Sequence, residues 1–107
     1  MKITGKCKID FEKWMIDNYW TFMDVSKFWQ IPFSMQYGVY VDFFDSVDIE
    51  VSAFVYTVRI NNKKDWSYQI MDSTHVQREI GFERSLNSRA EARTEAIKKA
   101  NEIYNDK

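Results

Sequence analysis

The stretch that decides the fold is SRAEARTEAIKKANEIY, residues 88–104. Ser88 and Glu91 have the spacing of a capping box, in which the serine hydroxyl accepts the N3 backbone N–H and the glutamate accepts the N-cap N–H. Small or apolar residues then recur at helical spacing, namely Ala92, Ala96, Ala100, Ile103 and Tyr104. A helix with such a small-residue face needs a flat, close partner, so the stretch predicts a C-terminal helix packed on a sheet.

The residues before this helix have the patterns of strands. Ile49–Ile60 is rich in β-branched and aromatic residues, but its apolar phase slips near Ala53–Val55, which predicts a β-bulge or a bend. Residues 61–64 (NNKK) are typical of a turn. Trp66–Ile70 alternates between apolar and polar residues, so the two segments predict a β-hairpin.

A short third strand is predicted further along the chain. Val76, Ile80 and Phe82 supply its apolar positions, and Gly81 marks a break within it. Residues 84–87 then lead into the final helix.

The N-terminal part predicts a first helix from about Phe11 to Met23. Asp10 is a good N-cap residue, and Ile9 and Trp14 occupy the two positions of a hydrophobic staple. Asp24–Ile31 reads as a connector with a buried aromatic pair.

Pro32–Val47 allows two interpretations. As a helix, it places Pro32 at the first helical position, where proline is tolerated, and its length favours this interpretation. As a strand, Met35–Phe44 alternates, and Gly38 together with the β-rich composition favours this second interpretation. The local sequence therefore supports the helix and the strand interpretations almost equally.

Composition limits the function classes. The 107 residues suffice for one domain, predicted to span residues 1–107. A single cysteine, no signal peptide and no apolar run of about 20 residues predict a cytoplasmic protein that has no membrane partner. The net charge of −1 gives no global attraction to nucleic acid, while 17% aromatic residues predict a surplus that forms an apolar surface patch.

Two stretches resemble small uncharacterised proteins of Bacteroides-type bacteria and their phages. They are PFSMQYGVY running into DFFDSV (residues 32–47), and Gly81-Phe82 followed by SRAEAR and AIKKANEIYN (residues 88–105). The resemblance implies no activity and no site residues. It does imply that Pro32–Ser46 is a helix leading into a strand, with Asp48 at a position where a glycine would be expected.

The predicted architecture is therefore α+β, with two N-terminal helices, a small antiparallel sheet of two or three strands, and a C-terminal helix packed on the sheet. The alternative, with a strand at Met35–Phe44, is α-β-β-β-α, the element order of double-stranded-RNA-binding domains. That order alone says little about function.

One candidate site is a group of basic residues near the start of the last helix. A helix N-terminus with arginines is suited to phosphate or a nucleic-acid backbone. The candidate anion- or nucleic-acid-binding residues are Arg59, Lys63, Arg84, Arg89 and Arg93. The alternative is that Glu83, Glu91 and Glu95 neutralise these arginines.

A second candidate site consists of rings on the sheet. Tyr56, Trp66 and Tyr68 could stack on bases or contact a partner if they lie on an uncovered face. At strand spacing, the same rings are more often core residues beneath a helix.

No catalytic or metal-binding constellation stands out. The acidic residues Asp42, Asp45 and Asp48 lack the spacing of a calcium loop, and the single histidine, His75, has no signalled nucleophile beside it. We therefore expect no cofactor, no metal and no enzyme. The sequence favours a protein–protein interaction or self-association module, such as an accessory protein of a phage or mobile element, over a nucleic-acid-binding module.

Overall fold

A computed structural model describes residues 3–18, 25–58, 63–74 and 78–107, of which residues 56–58, 63 and 64 are described by their backbone only. The elements in chain order are α1 (Gly5–Asn18), α2 (Val25–Phe28), α3 (Phe33–Ser46), β1 (Ile49–Val58), β2 (Lys63–Asp72), β3 (Arg78–Leu86) and α4 (Arg89–Asn105). This is the predicted α+β architecture, with the three strands in one antiparallel sheet of order β1-β2-β3 and α4 packed on it.

The start of α4 follows from its capping residue. Ser88 is extended and its hydroxyl accepts the Glu91 N–H at 3.1 Å, as the capping box predicts. Glu91 departs from the motif, because its carboxylate accepts the N–H of Asn87 at 3.0 Å instead of that of Ser88. The buried residues of α4 are Ala92, Ala96, Ile97, Ala100 and Asn101.

The hairpin of β1 and β2 has an unbroken register, from Ile49 opposite Asp72 to Val58 opposite Lys63. The bulge expected near Ala53–Val55 is therefore wrong. Alternate residues of a strand face opposite sides, so Val51 points into the core and Phe54 points away from the helices. The change in the apolar pattern therefore reflects apolar residues on both faces of a regular strand. The predicted turn at residues 61–64 lies partly outside the described residues, and its last two residues belong to β2.

The irregular pairing lies between β2 and β3. Trp66 pairs with Leu86 and Tyr68 with Glu83, so two steps along β2 correspond to three along β3. Ser85 takes up the extra step with a φ of 64°. As a result β3 continues to Leu86, through residues that the sequence suggested were only a lead into α4.

Gly81 lies inside β3 and does not interrupt it. A Cβ at this position would lie 3.3 Å from the Ile70 Cβ and 3.3 Å from the Lys99 Cγ. Glycine is therefore used here because α4 approaches β3 closely. Val76, also assigned to the third strand, lies outside the described residues.

Residues 33–46 form a helix, so the strand interpretation of Met35–Phe44 and the α-β-β-β-α order are wrong. Pro32 occupies the N-cap position with φ −58° and ψ 148°, one residue before its predicted place. After α3, Asp48 has a φ of 64°, the left-handed conformation for which a glycine was expected.

The first helix begins at Gly5, six residues before its predicted start, so Asp10 is an interior residue and not the N-cap. The hydrophobic staple is also wrong, because Ile9 is 70% exposed. The caps come from the other end of the chain: Asn105 Oδ1 accepts the Cys7 N–H at 2.8 Å, and Asn101 Oδ1 accepts the Thr4 N–H at 3.0 Å. The predicted end of this helix, residues 19–23, lies outside the described residues.

The helices meet around one buried ring, that of Phe11. Its centroid lies 5.0–6.2 Å from those of five other rings, which are Trp14, Phe28, Trp29, Tyr40 and Phe43. The connector before α3 therefore does supply an aromatic pair, of which Phe28 is fully buried and Trp29 half-buried. Much of the aromatic content is used in this core.

The described helices and the sheet form two layers, with α3 and α4 on one face of the sheet. Ile49, Ile70 and Ile97 are completely buried between the layers. Among the described residues, no helix is both long enough and apolar enough to cross a membrane.

Candidate binding groove at the starts of two helices

The starts of α3 and α4 lie side by side and enclose a groove of about 420 Å³. We call it the α3–α4 groove, and its lining residues are Pro32, Phe33, Ser34, Arg89, Ala90 and Arg93. Apart from its two arginines, the groove offers mainly carbon surface. Its volume lies within the range of about 300–1,000 Å³ that is typical of ligand pockets.

A buried glutamine positions the α3 side of the groove. The Gln36 amide nitrogen donates to the carbonyl oxygens of Phe28 at 3.0 Å and of Ile31 at 3.1 Å. Its amide oxygen accepts the Tyr40 hydroxyl at 3.1 Å. Because Gln36 is only 5% exposed, these bonds fix the turn that places Pro32 at the edge of the groove.

Aromatic rings position the two arginines on the α4 side. The Arg89 Cζ lies 5.0 Å from the centroid of the Trp66 ring, and the Arg93 Cζ lies 4.7 Å from that of the Tyr37 ring. Both distances fit a cation–π contact. Since Arg89 and Arg93 are four residues apart, they lie on the same face of α4, one turn from each other.

The charge of Arg93 affects the pKa of Tyr37, whose ring lies beneath it. Burial raises the pKa of Tyr37, and the nearby positive charge of Arg93 opposes that rise. The guanidinium is therefore close enough to influence a partly buried group.

Two of the three carboxylates expected to neutralise these arginines, Glu91 and Glu83, have other partners. Glu91 accepts the Asn87 N–H, and Glu83 accepts a hydrogen bond from Tyr68. The described ion pairs include Arg78–Asp72 and Lys99–Glu102, and among the described residues neither Arg89 nor Arg93 has an ion-pair partner. Both charges thus remain available to an anionic ligand.

Among the other predicted basic residues, only Arg84 has a described side chain, and it does not line the α3–α4 groove. Arg84 lies in β3, next to the bulge at Ser85. Arg59 lies outside the described residues, and the side chain of Lys63 is not described. Of the three candidates whose side chains are described, Arg84, Arg89 and Arg93, the structure places the last two at the groove.

The predicted sheet rings also differ in whether they lie at the groove. Trp66 is half-buried and forms the platform for Arg89, whereas Tyr68 is only 5% exposed and lies beneath α4. Burial, followed by Glu83, raises the pKa of Tyr68 to about 12. Trp66 and Tyr68 thus lie on the helix-covered face, and the side chain of Tyr56 is not described.

Sequence reasoning missed the α3 half of the groove. Phe33 and Ser34 lie next to Ala90 because α3 and α4 begin at the same corner of the structure. Ser34 and Arg89 are 55 residues apart in the sequence. The one available signal was Pro32, which indicates a helix start if the segment is helical.

The sheet face opposite α4 is mixed in character. Phe82 is 41% exposed on it, and the Gln69 side chain donates to Glu79 at 2.7 Å. Ser67 is completely buried there, and its hydroxyl has no hydrogen-bond partner among the described residues. This face alternates apolar and polar groups.

The acidic residues at the end of α3 and the start of β1 influence one another. Burial, then Glu50 and Asp42, raises the pKa of Asp45. Within residues that the structure describes, no three His, Cys, Asp or Glu side chains are grouped to hold a metal ion. His75 lies outside these residues.

Comparisons with protein-family models, with curated proteins and with solved structures found no match to this chain. The site is therefore interpreted from its own geometry.

Proposed function

We propose that this chain is a non-enzymatic protein-binding module and that its docking surface is the α3–α4 groove. The occupant is a short acidic and partly apolar segment of a partner protein. The observation that carries the proposal is the pair Arg89 and Arg93, which are held on rings beside an apolar groove and form no ion pair within the described residues.

The composition of the surface supports a protein partner. Arginine, tryptophan and tyrosine are the residue types most enriched among interface residues that contribute strongly to binding. Here Arg89 and Arg93 stand on Trp66 and Tyr37, with the Phe33 ring lining the groove. A bound segment would place aliphatic side chains against this carbon surface.

The start of α3 adds to the attraction for a carboxylate. The first backbone N–H groups of a helix have no intrahelical acceptor, and the helix dipole makes this end positive. At α3 these groups include the N–H of Phe33 and of Ser34, and the N-cap residue Pro32 supplies no side-chain hydrogen bond. A partner carboxylate can therefore bind both these N–H groups and an arginine.

The broader setting that we propose is a cytoplasmic accessory protein of a phage or mobile element. The resemblance of residues 32–47 and 81–105 to small proteins of Bacteroides-type bacteria and their phages supports this setting. The buried thiol of Cys7, the only cysteine, is consistent with a reducing compartment.

A peptide-display selection tests the proposal. The intact chain is used to select from a random peptide library, and each enriched peptide is then titrated against the wild type and against Arg89→Gln/Arg93→Gln. We expect enriched peptides to carry Asp or Glu next to Leu, Ile or Phe. Their affinity for the double variant is expected to fall at least about tenfold, because two charge-assisted contacts are lost.

The matched control is Arg78→Gln/Arg84→Gln, which removes the same charge from β3, outside the groove. Equal binding to wild type and to Arg89→Gln/Arg93→Gln, or equal losses in both double variants, would contradict the proposal. A dimer seen by sedimentation that dissociates only in Arg89→Gln/Arg93→Gln would identify a second copy of this chain as the occupant instead.

Nucleic acid is the second candidate, because Arg89 and Arg93 are one helical turn apart and could each contact a phosphate. Fluorescence anisotropy with labelled single- and double-stranded DNA and RNA tests it at low and moderate salt. Binding that weakens with salt and is lost in Arg89→Glu/Arg93→Glu would support this function. No binding at low salt would exclude it.

A further inference from the structure

The sheet has two edge strands, because the order β1-β2-β3 places β2 in the middle. An edge strand presents unpaired backbone N–H and C=O groups that can bond to another extended chain. Proteins usually prevent such pairing with charged side chains, prolines or β-bulges on the edge. The two edges of this sheet differ in how far they are protected.

The β3 edge has two kinds of protection. Its pairing with β2 shifts register twice, which makes its backbone irregular. Four of its nine residues are charged, namely Arg78, Glu79, Glu83 and Arg84. A strand that approached β3 would therefore meet both an irregular backbone and charged side chains.

The β1 edge has neither kind of protection. All ten of its residues pair with β2 in one unbroken register. Glu50 is its single charged residue, and the strand contains no glycine and no proline. A regular, weakly charged strand of β-branched and aromatic residues is the type that pairs readily with a second strand. β1 is therefore the edge of this sheet that suits strand addition.

The register shows which backbone groups of β1 point outward. The Asp48 carbonyl oxygen accepts the Ser73 N–H at 3.0 Å, next to the pair that Ile49 forms with Asp72. In an antiparallel ladder only every second residue bonds to a given neighbour, so the even-numbered residues of β1 bond to β2. The N–H and C=O groups of the odd-numbered residues therefore point away from β2. Among the described residues, no other strand lies beside them.

The accessible part of β1 is its second half. Ile49 is completely buried and Val51 is 6% exposed, and both α3 and α4 pack on this strand. Ala53 is half-buried, and Val55 is 41% exposed. The outward backbone groups from Ala53 to Thr57 thus lie in the more exposed half of the strand.

We propose that this half of β1 pairs antiparallel with β1 of a second copy of this chain, so that the two three-stranded sheets become one. A two-fold axis through Val55 places Val55 opposite the partner's Val55 and Ala53 opposite the partner's Thr57. Each of these residues then exchanges both of its outward backbone hydrogen bonds with the other copy. The contact is isologous, so it closes as a dimer and leaves β3 as the protected edge on both sides.

The composition of β1 favours a second copy as the occupant. Residues 51–58 contain no charged side chain, so pairing this strand with itself brings no like charges together. At the axis, two β-branched valine side chains lie opposite each other, which is a favourable cross-strand pair. None of the residues that line the α3–α4 groove lies in β1, so this interface is independent of the function proposed for the groove.

Sedimentation equilibrium of the intact chain over a range of concentrations tests for the dimer. Val55→Lys places two ammonium groups at the axis, so we expect it to weaken dimerisation at least about tenfold. The matched control is Phe82→Lys, because Phe82 is also 41% exposed but lies on β3. This control is expected to leave dimerisation unchanged.

A backbone variant and hydrogen exchange identify the paired surface. Val55→Pro removes an N–H that β2 does not use, and it is expected to abolish the dimer while circular dichroism retains the strand signal. In the wild type, the amides of Ala53, Val55 and Thr57 are expected to exchange quickly at low concentration and slowly at high concentration. The Phe54 amide, which bonds to β2, is expected to be protected at both.

Three results would overturn the proposal. The first is a wild-type chain that stays monomeric at millimolar concentration. The second is equal weakening of the dimer by Val55→Lys and by Phe82→Lys. The third is a dimer that Arg89→Gln/Arg93→Gln dissociates and Val55→Lys does not, because that dimer would form at the α3–α4 groove instead.

Discussion

The guanidinium of Arg89 lies 5.0 Å from the centroid of the Trp66 ring, so the first residue of α4 is tied to the middle strand of the sheet. Arginine at this position opposes the helix dipole, because the N-terminal end of a helix is already positive. The ring compensates for part of this cost and holds the planar group at the edge of the α3–α4 groove. This cation–π contact therefore links α4 to the sheet and also holds the positive charge of Arg89 at the groove.

Replacing Arg89 by lysine separates charge from stacking. Arg89→Lys keeps the charge but loses the planar group that stacks on Trp66. We expect affinity for a library-selected acidic peptide to fall about three- to fivefold. Isothermal titration calorimetry measures this affinity. Adding Trp66→Leu to the Arg89→Lys variant is expected to lower the affinity little further, because the two residues act together. Fully additive losses would contradict this coupling.

Asn105 caps the first helix from nearly 100 residues away. Its Oδ1 accepts the Cys7 N–H at 2.8 Å, and its Nδ2 donates to the Thr4 carbonyl at 3.0 Å. We expect Asn105→Ala to lower the free energy of unfolding by about 1–2 kcal/mol, the usual cost of losing a cap. Denaturant unfolding measures it. The control Asn87→Ala changes an exposed side chain, and an equal loss there would contradict the capping role.

Two glycines are expected to respond to alanine in opposite directions. A Cβ at Gly38 in α3 meets nothing within 4 Å, so Gly38→Ala is expected to raise the free energy of unfolding by about 0.5–1 kcal/mol. A Cβ at Gly81 would lie 3.3 Å from both Ile70 and Lys99, so Gly81→Ala is expected to lower it by about 1–3 kcal/mol. Thermal unfolding of both variants is the measurement, and changes of the same sign would contradict the packing of α4 on β3.

Stability is expected to fall at alkaline pH because the folded state holds certain protons more tightly. Burial, with a smaller contribution from Asp10, raises the pKa of Cys7 from 9.0 to about 12. Burial and the hydrogen bond to Asp10 raise the pKa of Tyr104 from 10.0 to about 12. Above about pH 9 the unfolded chain therefore loses protons that the folded chain keeps, and the free energy of unfolding decreases with rising pH until about pH 12.

Urea unfolding between pH 8 and pH 11, values chosen to bracket the onset at about pH 9, tests this dependence. Cys7→Ala is expected to delay the decrease until about pH 10, where tyrosine begins to ionise. Two results would contradict this role of Cys7. One is a free energy of unfolding that stays constant across this range, and the other is a decrease that begins at the same pH in Cys7→Ala as in the wild type.

The parts of the fold that could be predicted have local causes. The start of α4 is encoded by Ser88, whose hydroxyl reaches an N–H only three residues away. The hairpin follows from the alternation of Trp66–Ile70, since a strand of that pattern buries one face. The helix exit at Asp48 was expected only from the resemblance, which implies a glycine at this position, and the residue there has a φ of 64°.

The parts that could not be predicted depend on distant contacts. The start of α1 is set by Asn101 and Asn105, so no local capping residue marks it. Likewise the α3–α4 groove exists because Pro32 and Phe33 lie near Arg93 where α3 and α4 begin. The arginines could be named from sequence, but the apolar wall beside them required the packing of two helices.

The most direct test of the central claim is an NMR map of where a library-selected acidic peptide binds. Backbone amide shifts of the intact chain are followed during titration with the peptide. We predict that the largest shifts fall on the amides of Phe33, Ser34, Ala90 and Arg93, at the two helix starts. Largest shifts on the opposite sheet face, at Ser52, Gln69 and Phe82, would show that the α3–α4 groove is not the docking surface.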